Sequence, residues 1–254
     1  MIKNKLALCI SSIAPLRANA SDTAEMVSQV LFGEIVELLE TQEKWIKIAT
    51  WLDGYEGWCD PKQFKLITEK EAKKWISNDY HFVEERELAI NSNSGTLFIP
   101  KGSIFPQTVN EKIIVADLWF STTQLQTTPK ENCFETAKSY LNTPYLWGGK
   151  TPFGIDCSGL VQQVFRLHGY KLPRDASEQA TEGMDVRYEN VSANDLAFFS
   201  NPDGKVIHVG IIGMNNAIIH ASGKVRIDTL TEKGIWNNEI KALTHKIHSI
   251  KRIY

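Results

Sequence analysis

The stretch Pro144-Tyr-Leu-Trp-Gly-Gly-Lys-Thr-Pro-Phe-Gly-Ile-Asp-Cys-Ser-Gly-Leu-Val-Gln-Gln-Val-Phe165 sets the reading of the whole chain. A glycine-rich loop runs into Cys157. Beyond it, Leu160, Val161, Val164 and Phe165 recur at helical spacing. Gly169 stands where a helix C-cap belongs. Asp156 suits an N-cap, which puts Cys157 in the first helical turn. Unpaired N–H groups and the positive end of the helix dipole favour a thiolate at that place. Cys157 is therefore the candidate nucleophile.

Around this stretch, residues 132–141 carry Cys133, Phe134, Ala137, Tyr140 and Leu141 on one face, predicting a helix that ends before Pro144. Residues 176–180 read equally as helix or loop. Strands are expected over 196–200, 208–213, 217–222, 225–230 and 247–254. Helices first and an antiparallel sheet afterwards make residues 131–254 an α+β domain.

The N-terminal half has a different character. Residues 7–13, 34–40, 45–50 and 55–58 read as short strands, with Asp53-Gly54 as a turn signal. Trp45 and Trp58 read as barrel core. Thr68-Glu-Lys-Glu71 is a capping-box signature that opens a short linker helix through Trp75 and Ile76. Strands follow over 87–90, 96–99 and 113–120, punctuated by Gly95, Pro100, Gly102 and Pro106. Residues 121–130 are polar and read as a linker. The division is 1–66 as a first small barrel, 67–79 as linker helix, 80–128 as a second barrel and 131–254 as the domain of Cys157.

Composition limits what such a chain does. Its 254 residues carry a net charge of −2 and no Lys/Arg run, so nothing marks a nucleic-acid partner. No apolar stretch is long enough to span a membrane. The four cysteines, Cys9, Cys59, Cys133 and Cys157, form no CxxC pair, which argues against a zinc site. Their even number permits two disulfides, but a reducing compartment is the simpler reading. Lys3, Lys5, Leu6-Ala-Leu-Cys-Ile10 and Ala18-Asn-Ala20 imitate an export signal. Ser11, Ser12, Pro15 and Arg17 interrupt the apolar run, so an uncleaved first strand and a cytoplasmic protein are expected. An exported or periplasmic protein is the alternative. A monomer is expected.

A cysteine nucleophile needs a base within hydrogen-bond reach and a group that orients the base. Of the six histidines, His81 precedes the Cys157 domain, His168 suits a helix C-terminus, and His245 and His248 read as solvated. His208 and His220 lie on two strongly apolar strands that form a natural hairpin. A two-residue loop at Asn215-Asn216 puts the rings on opposite faces. A three-residue loop, 214–216, pairs Gly210 with His220 and makes the histidines diagonal neighbours on one face, about 7–8 Å apart at Cα. The same-face register builds a Cys157–His208–His220 relay: His208 takes the thiol proton, and His220 holds its ring. The Cys157 N–H, with the Tyr145 hydroxyl, would hold the oxyanion of an attacked amide. This chemistry calls for no metal and no other cofactor.

The motifs Pro144-Tyr-Leu-Trp-Gly-Gly149, Asp156-Cys-Ser-Gly-Leu160, Pro173-Arg-Asp-Ala-Ser-Glu-Gln179, Asp195-Leu-Ala-Phe-Phe199, His208-Val-Gly210 and Ile219-His-Ala-Ser222 occur in one order. Together they resemble the NlpC-type, papain-like cysteine peptidases of bacterial cell-wall metabolism. Phe32-Gly-Glu34, Trp45-Ile-Lys-Ile48 and Asp53-Gly-Tyr-Glu-Gly-Trp58 resemble a bacterial SH3-like domain. The layout, two SH3-like domains before a peptidase domain, is similar to the γ-D-glutamyl-L-diamino acid peptidases of murein recycling. The resemblance implies Cys157, His208 and His220 as catalytic residues and peptidoglycan-derived peptides as partners. It further implies that the substrate presents a free N-terminal L-Ala, bound by Glu34, Tyr55 and Asp175, with release of L-Ala-γ-D-Glu. Asp156 and Ser158 would contact the D-Glu portion. The family pattern has a serine directly after Arg-Asp; here Ala176 holds that place and Ser177 follows it. A wall-binding module with a degenerate peptidase domain, or an amidase or acyltransferase of the same fold, are the competing readings.

Overall fold

The computed structural model describes residues 5–76, 80–106, 110–123 and 132–253. Contacts divide the chain into two units, Met1–Thr128 and Pro129–Tyr254. The expected linker over 121–130 lies mostly outside the described residues, as do the last residues of the expected linker helix.

Short β-branched and aromatic runs separated by Gly and Asp turns give the first unit its strands. These are β1 (Lys5–Cys9), β2 (Ile13–Arg17), β3 (Met26–Leu31), β4 (Ile35–Gln42), β5 (Trp45–Thr50), β6 (Glu56–Cys59) and β7 (Phe64–Ile67). They form one antiparallel sheet in the order β3-β2-β6-β5-β4-β1-β7. The expected strand over 7–13 is interrupted after Cys9, and Ile13 already belongs to β2. Trp45 is buried and Trp58 half-buried.

Helix α1 (Glu69–Trp75) opens on the predicted capping box: the Thr68 hydroxyl accepts from the Glu71 N–H at 3.2 Å, and Glu71 Oε2 accepts from the Thr68 N–H at 2.7 Å. Beyond it lie β8 (Tyr80–Phe82), β9 (Glu87–Ser92), β10 (Gly95–Pro100), β11 (Ile104–Pro106), β12 (Ile113–Val115) and β13 (Leu118–Ser121). Here β8 pairs with β11, and the others form a sheet in the order β10-β9-β13-β12. The single strand expected over 113–120 is a hairpin, because Ala116 turns the chain at φ 51° and donates its N–H to Glu71 Oε1.

The sheets of this unit share one core. Phe32 packs edge-on against Trp75 (6.1 Å between ring centroids) and Phe120 (5.1 Å), and Phe105 completes the cluster. The Trp75 indole N–H reaches the Gly33 carbonyl at 2.9 Å. Gly33 is required here: it sits at φ +80°, and a Cβ would lie 1.9 Å from the Ile104 carbonyl oxygen. α1 is thus less a linker than part of this core.

The second unit contains α2 (Cys133–Lys138), β14 (Lys150–Thr151), β15 (Gly154–Ile155), α3 (Cys157–Leu167) and α4 (Ala176–Gln179). Its strands continue with β16 (Met184–Asp185), β17 (Leu196–Ser200), β18 (Val206–Ile212), β19 (Ala217–Ser222), β20 (Lys224–Thr231), β21 (Gly234–Asn237) and β22 (Ala242–Arg252). The sheet runs β16-β22-β17-β18-β19-β20-β21, and β21 also pairs with β22, which closes the strands from β22 through β21 into a ring. Strand dominates, so the α+β label fits only loosely. Helix α2 stops at Lys138, three residues short of the sequence reading, because 139–142 turn away through Asn142 at φ 64°. Helix α3 is buried along its whole length and packs on β18 and β19. All four cysteines are buried free thiols. No helix among the described residues is long and apolar enough to cross a membrane.

Candidate active site

Cys157 is the first residue of α3 and is 6% exposed. Asp156 caps the helix, accepting the Gly159 N–H at 2.7 Å. Its other oxygen accepts the Gly148 N–H at 2.8 Å, so the glycine-rich loop folds over the cap. The approach is close enough that a Cβ on Gly159 would lie 2.3 Å from the Gly149 carbonyl oxygen. That is the physical use of the Gly148-Gly149 and Gly159 pattern.

The loop between β18 and β19 is the three-residue 214–216 turn, with Asn215 and Asn216 both at positive φ. It pairs Gly210 with His220. A Cβ on Gly210 would lie 3.1 Å from the His220 Cβ, so the glycine makes room for the ring. Both imidazoles then share a face, and His208 Nε2 lies 2.8 Å from His220 Nδ1. Val209, adjacent to His208, directs its backbone N–H at the Cys157 sulfur, as does Ser158. The structure therefore brings Cys157, β18 and the two histidines to one place.

Two further residues complete the cluster. His220 Nε2 lies 3.2 Å from Asp228 Oδ2 on β20. Arg226 grips the same carboxylate through Nε (2.7 Å) and Nη2 (3.1 Å), and the Asn238 N–H donates to Oδ1 at 2.9 Å. Burial alone would raise Asp228, but the hydrogen bonds from His220, Arg226 and Asn238 outweigh it and hold the carboxyl well below its usual range. His245 on β22 is the second addition. It was expected in solvent, but it is half-buried and stacks on His208 at 4.3 Å and 25°. The correction has a tertiary cause: β22 lies beside β17, next to β18, which carries residue 245 onto His208. Asp228 had a sequence signal. The tight turn at Gly223 pairs His220 with Arg226, which makes Asp228 the diagonal neighbour of His220.

Burial pushes the Cys157 thiol up to about 12, with the Asp156 charge adding to it, against the backbone N–H groups and Arg174. Burial, His220 and His245 together drive His208 well below its ordinary value. The helix start was expected to favour a thiolate; burial works against it and favours the neutral thiol and the neutral imidazole. Tyr145 is half-buried, and its hydroxyl is raised by burial and then by Cys157 and Asp156, so it lies within electrostatic reach of the nucleophile.

The remaining predicted residues fall in different settings. Arg174, 1% exposed, binds Asp156 through both Nη atoms (3.0 and 2.6 Å) and donates to the Ser158 hydroxyl at 2.8 Å. Asp156 and Ser158 are thus engaged by a buried guanidinium. Asp175 is half-buried at the N-cap of α4, Ala176 is buried, and Ser177 is exposed. In the first unit Glu34 is fully buried between β3 and β4. Tyr55 is half-buried against the core of the first sheet, with its N–H on the Thr50 hydroxyl at 3.0 Å.

His208, His220 and His245 have ring nitrogens within 4.8 Å of one another, which is the spacing of a metal-binding group. The rings of His208 and His245 are stacked, however, 25° apart with centroids at 4.3 Å, so their in-plane lone pairs lie in separate, nearly parallel planes and one shared ion would require a ring to turn. The cluster fits proton transfer better than ligation.

Residues 142–244 match the model of the NlpC/P60 family, and residues 16–64 match the bacterial dipeptidyl-peptidase SH3 domain. The γ-D-glutamyl-L-lysine dipeptidyl-peptidase of Bacillus subtilis is 31% identical over 241 residues, covering 85% of this chain and 79% of that protein. This chain belongs to the NlpC/P60 family. Dipeptidyl-peptidase 6 of Lysinibacillus sphaericus is 29% identical and covers 89% of this chain and 92% of its own. An NlpC/P60 family crystal structure from Bacillus cereus superposes with a TM-score of 0.79 over 98% of this chain and 99% of that one, at 20% identity. The NlpC/P60 fold thus accounts for the second unit, and an SH3-like domain for the first sheet.

Proposed function

We propose that this chain is a cysteine peptidase that hydrolyses the γ-D-Glu–L-diamino acid bond of peptidoglycan stem peptides bearing a free N-terminal L-Ala. The product is L-Ala-γ-D-Glu. The observation that carries this reading is the His208–His220 contact of 2.8 Å, beside a cysteine at a helix start in an NlpC/P60 chain. The names of the relatives from Bacillus subtilis and Lysinibacillus sphaericus support the dipeptidyl-peptidase activity.

In this reading the Cys157 proton passes to His208 as sulfur attacks the amide carbonyl. Because burial favours the neutral form of both groups, proton transfer accompanies the attack and does not precede it. The N–H of Cys157 and the Tyr145 hydroxyl steady the oxyanion. His208 then protonates the departing amine, and water hydrolyses the thioester. His220 holds the base in place. Glu34 is proposed to bind the L-Ala ammonium group, for which a carboxylate is a fitting acceptor. Tyr55, Asp175 and Ser177 are proposed with it. Residues 80–128 are proposed as a second SH3-like domain and 131–254 as the peptidase domain. The four free thiols suit a reducing compartment, so the proposed site of action is the cytoplasm, on recycled murein peptides.

Mass spectrometry of the free tripeptide L-Ala-γ-D-Glu-L-diamino acid after incubation tests the proposal. The dipeptide and free diamino acid are expected with the native protein and neither with Cys157→Ala. Cleavage by that variant, or product formed only when an amine acceptor is added, overturns it.

A further inference from the structure

We infer that Asp228 is a positioning residue that, acting through His220, decides which nitrogen of His208 is free to take the Cys157 proton. The inference rests on the cysteine-peptidase reading above. Asp228 is 1% exposed and accepts two hydrogen bonds from Arg226 and one from the Asn238 N–H. Three donors on one carboxyl group keep it ionised, and an ionised carboxylate can only accept. His220 Nε2, 3.2 Å from Oδ2, must therefore carry a proton. A neutral imidazole has one such proton, so His220 Nδ1 presents a lone pair. His208 Nε2, 2.8 Å away, must then be the donor, which leaves His208 Nδ1 bare.

The sequence of constraints has one outcome: the only ring nitrogen of His208 not occupied by His220 is an acceptor. During attack the S–H bond breaks and an Nδ1–H bond forms, so His208 becomes an imidazolium with protons on both nitrogens. His220 and Asp228 keep their protonation states throughout. Arg226 in turn is tied to Asn237 Oδ1 (3.1 Å) and Glu239 (2.9 Å), which holds the fork that fixes the carboxylate plane.

Asp228→Asn keeps the shape and reverses the logic. An amide N–H₂ at the Oδ2 position donates to His220 Nε2, moving the His220 proton to Nδ1 and the His208 proton to Nδ1, where it blocks acceptance from sulfur. An N–H₂ at the Oδ1 position faces two donors, Arg226 Nη2 and the Asn238 N–H, whereas at the Oδ2 position it faces one, Arg226 Nε, so the Oδ2 placement is the less opposed. The expected result is a kcat lower by about 10²- to 10⁴-fold with KM changed less than about threefold, by analogy with loss of the orienting carboxylate in a serine triad.

Ring ¹⁵N spectra of the full chain give a readout that needs no substrate. The native protein is expected to show His208 protonated at Nε2, and Asp228→Asn to show it protonated at Nδ1. A native His208 protonated at Nδ1 overturns the inference whether or not the variant folds. So does a variant with kcat within about threefold of native, or one that loses kcat with its His208 tautomer unchanged. If the native protein shows the expected tautomer but leaves the tripeptide intact, the peptidase reading fails and the tautomer assignment stands.

Discussion

His245 stacks on His208 with ring centroids 4.3 Å apart, on a strand that no local pattern connects to the hairpin carrying His208 and His220. The stack excludes water from one face of the base and adds a group that would repel a proton there. Both effects depress His208. Since the rate requires neutral His208, activity should persist on the acid side of the ordinary histidine value of about 6.5. His245→Ala removes both effects, so the acid limb of kcat/KM should move up toward that value. Rate profiles of the two proteins between pH 4 and pH 8 check this; coincident limbs contradict it.

Cys157 makes the opposite demand. With its thiol pushed up to about 12, the free protein holds little thiolate at neutral pH. Alkylation of Cys157 by iodoacetamide should be slow at pH 7 and still rising at pH 10, without the plateau of a preformed ion pair. Peptide mapping separates Cys157 from the other three buried thiols.

Arg174 and Asp156 form a buried bidentate pair, with side chains 1% and 7% exposed. Arg174→Met strands the Asp156 charge and should destabilise the second unit by about 3–5 kcal/mol. The double variant Asp156→Asn/Arg174→Met should recover part of that loss, because no uncompensated charge remains. Denaturant unfolding of the native protein, the single variant and the double variant measures the difference. Arg174→Lys should not substitute, since an ammonium cannot reproduce the fork on Asp156 and the bond to Ser158.

Glu34 gives the prediction about the substrate. If its buried carboxylate serves the ammonium of L-Ala, Glu34→Gln should raise KM for the free tripeptide by about tenfold or more and change kcat little. N-acetylation of the tripeptide should stop turnover by the native protein. Efficient cleavage of the acetylated peptide would remove the amine from the account.

What was readable in the sequence follows from the range of the interactions. The Cys157 helix start depends on Asp156, Gly159 and the neighbouring loop, all within about one turn. The His208–His220 face depends on a hairpin whose loop length can be counted. Asp228 was open to the same counting, through the turn at Gly223, but its burial and its ties to Arg226 and Asn238 depend on the strand lying inside a closed ring. His245 was not readable, because its place depends on β22 meeting β17 across a bulge between Phe198 and Phe199. The pull of burial toward the neutral forms was missed for a similar reason: a helix dipole is local, whereas desolvation is set by the whole fold. The shared core of the first unit was equally hidden, since nothing short-range joins Phe32 to Phe120.

That shared core makes residues 1–128 a single heritable part. The seven-stranded sheet has the outline of a module that could be lifted out and fused elsewhere, yet Phe32 and Leu8 would be left in water without Trp75, Phe105 and Phe120. Recombination that trades the first barrel at residue 67 would break one core into two incomplete ones. Exchange among such proteins should therefore occur at the segment around residues 124–131, carrying all three sheets and α1 together, and selection acting on one sheet is felt by the others.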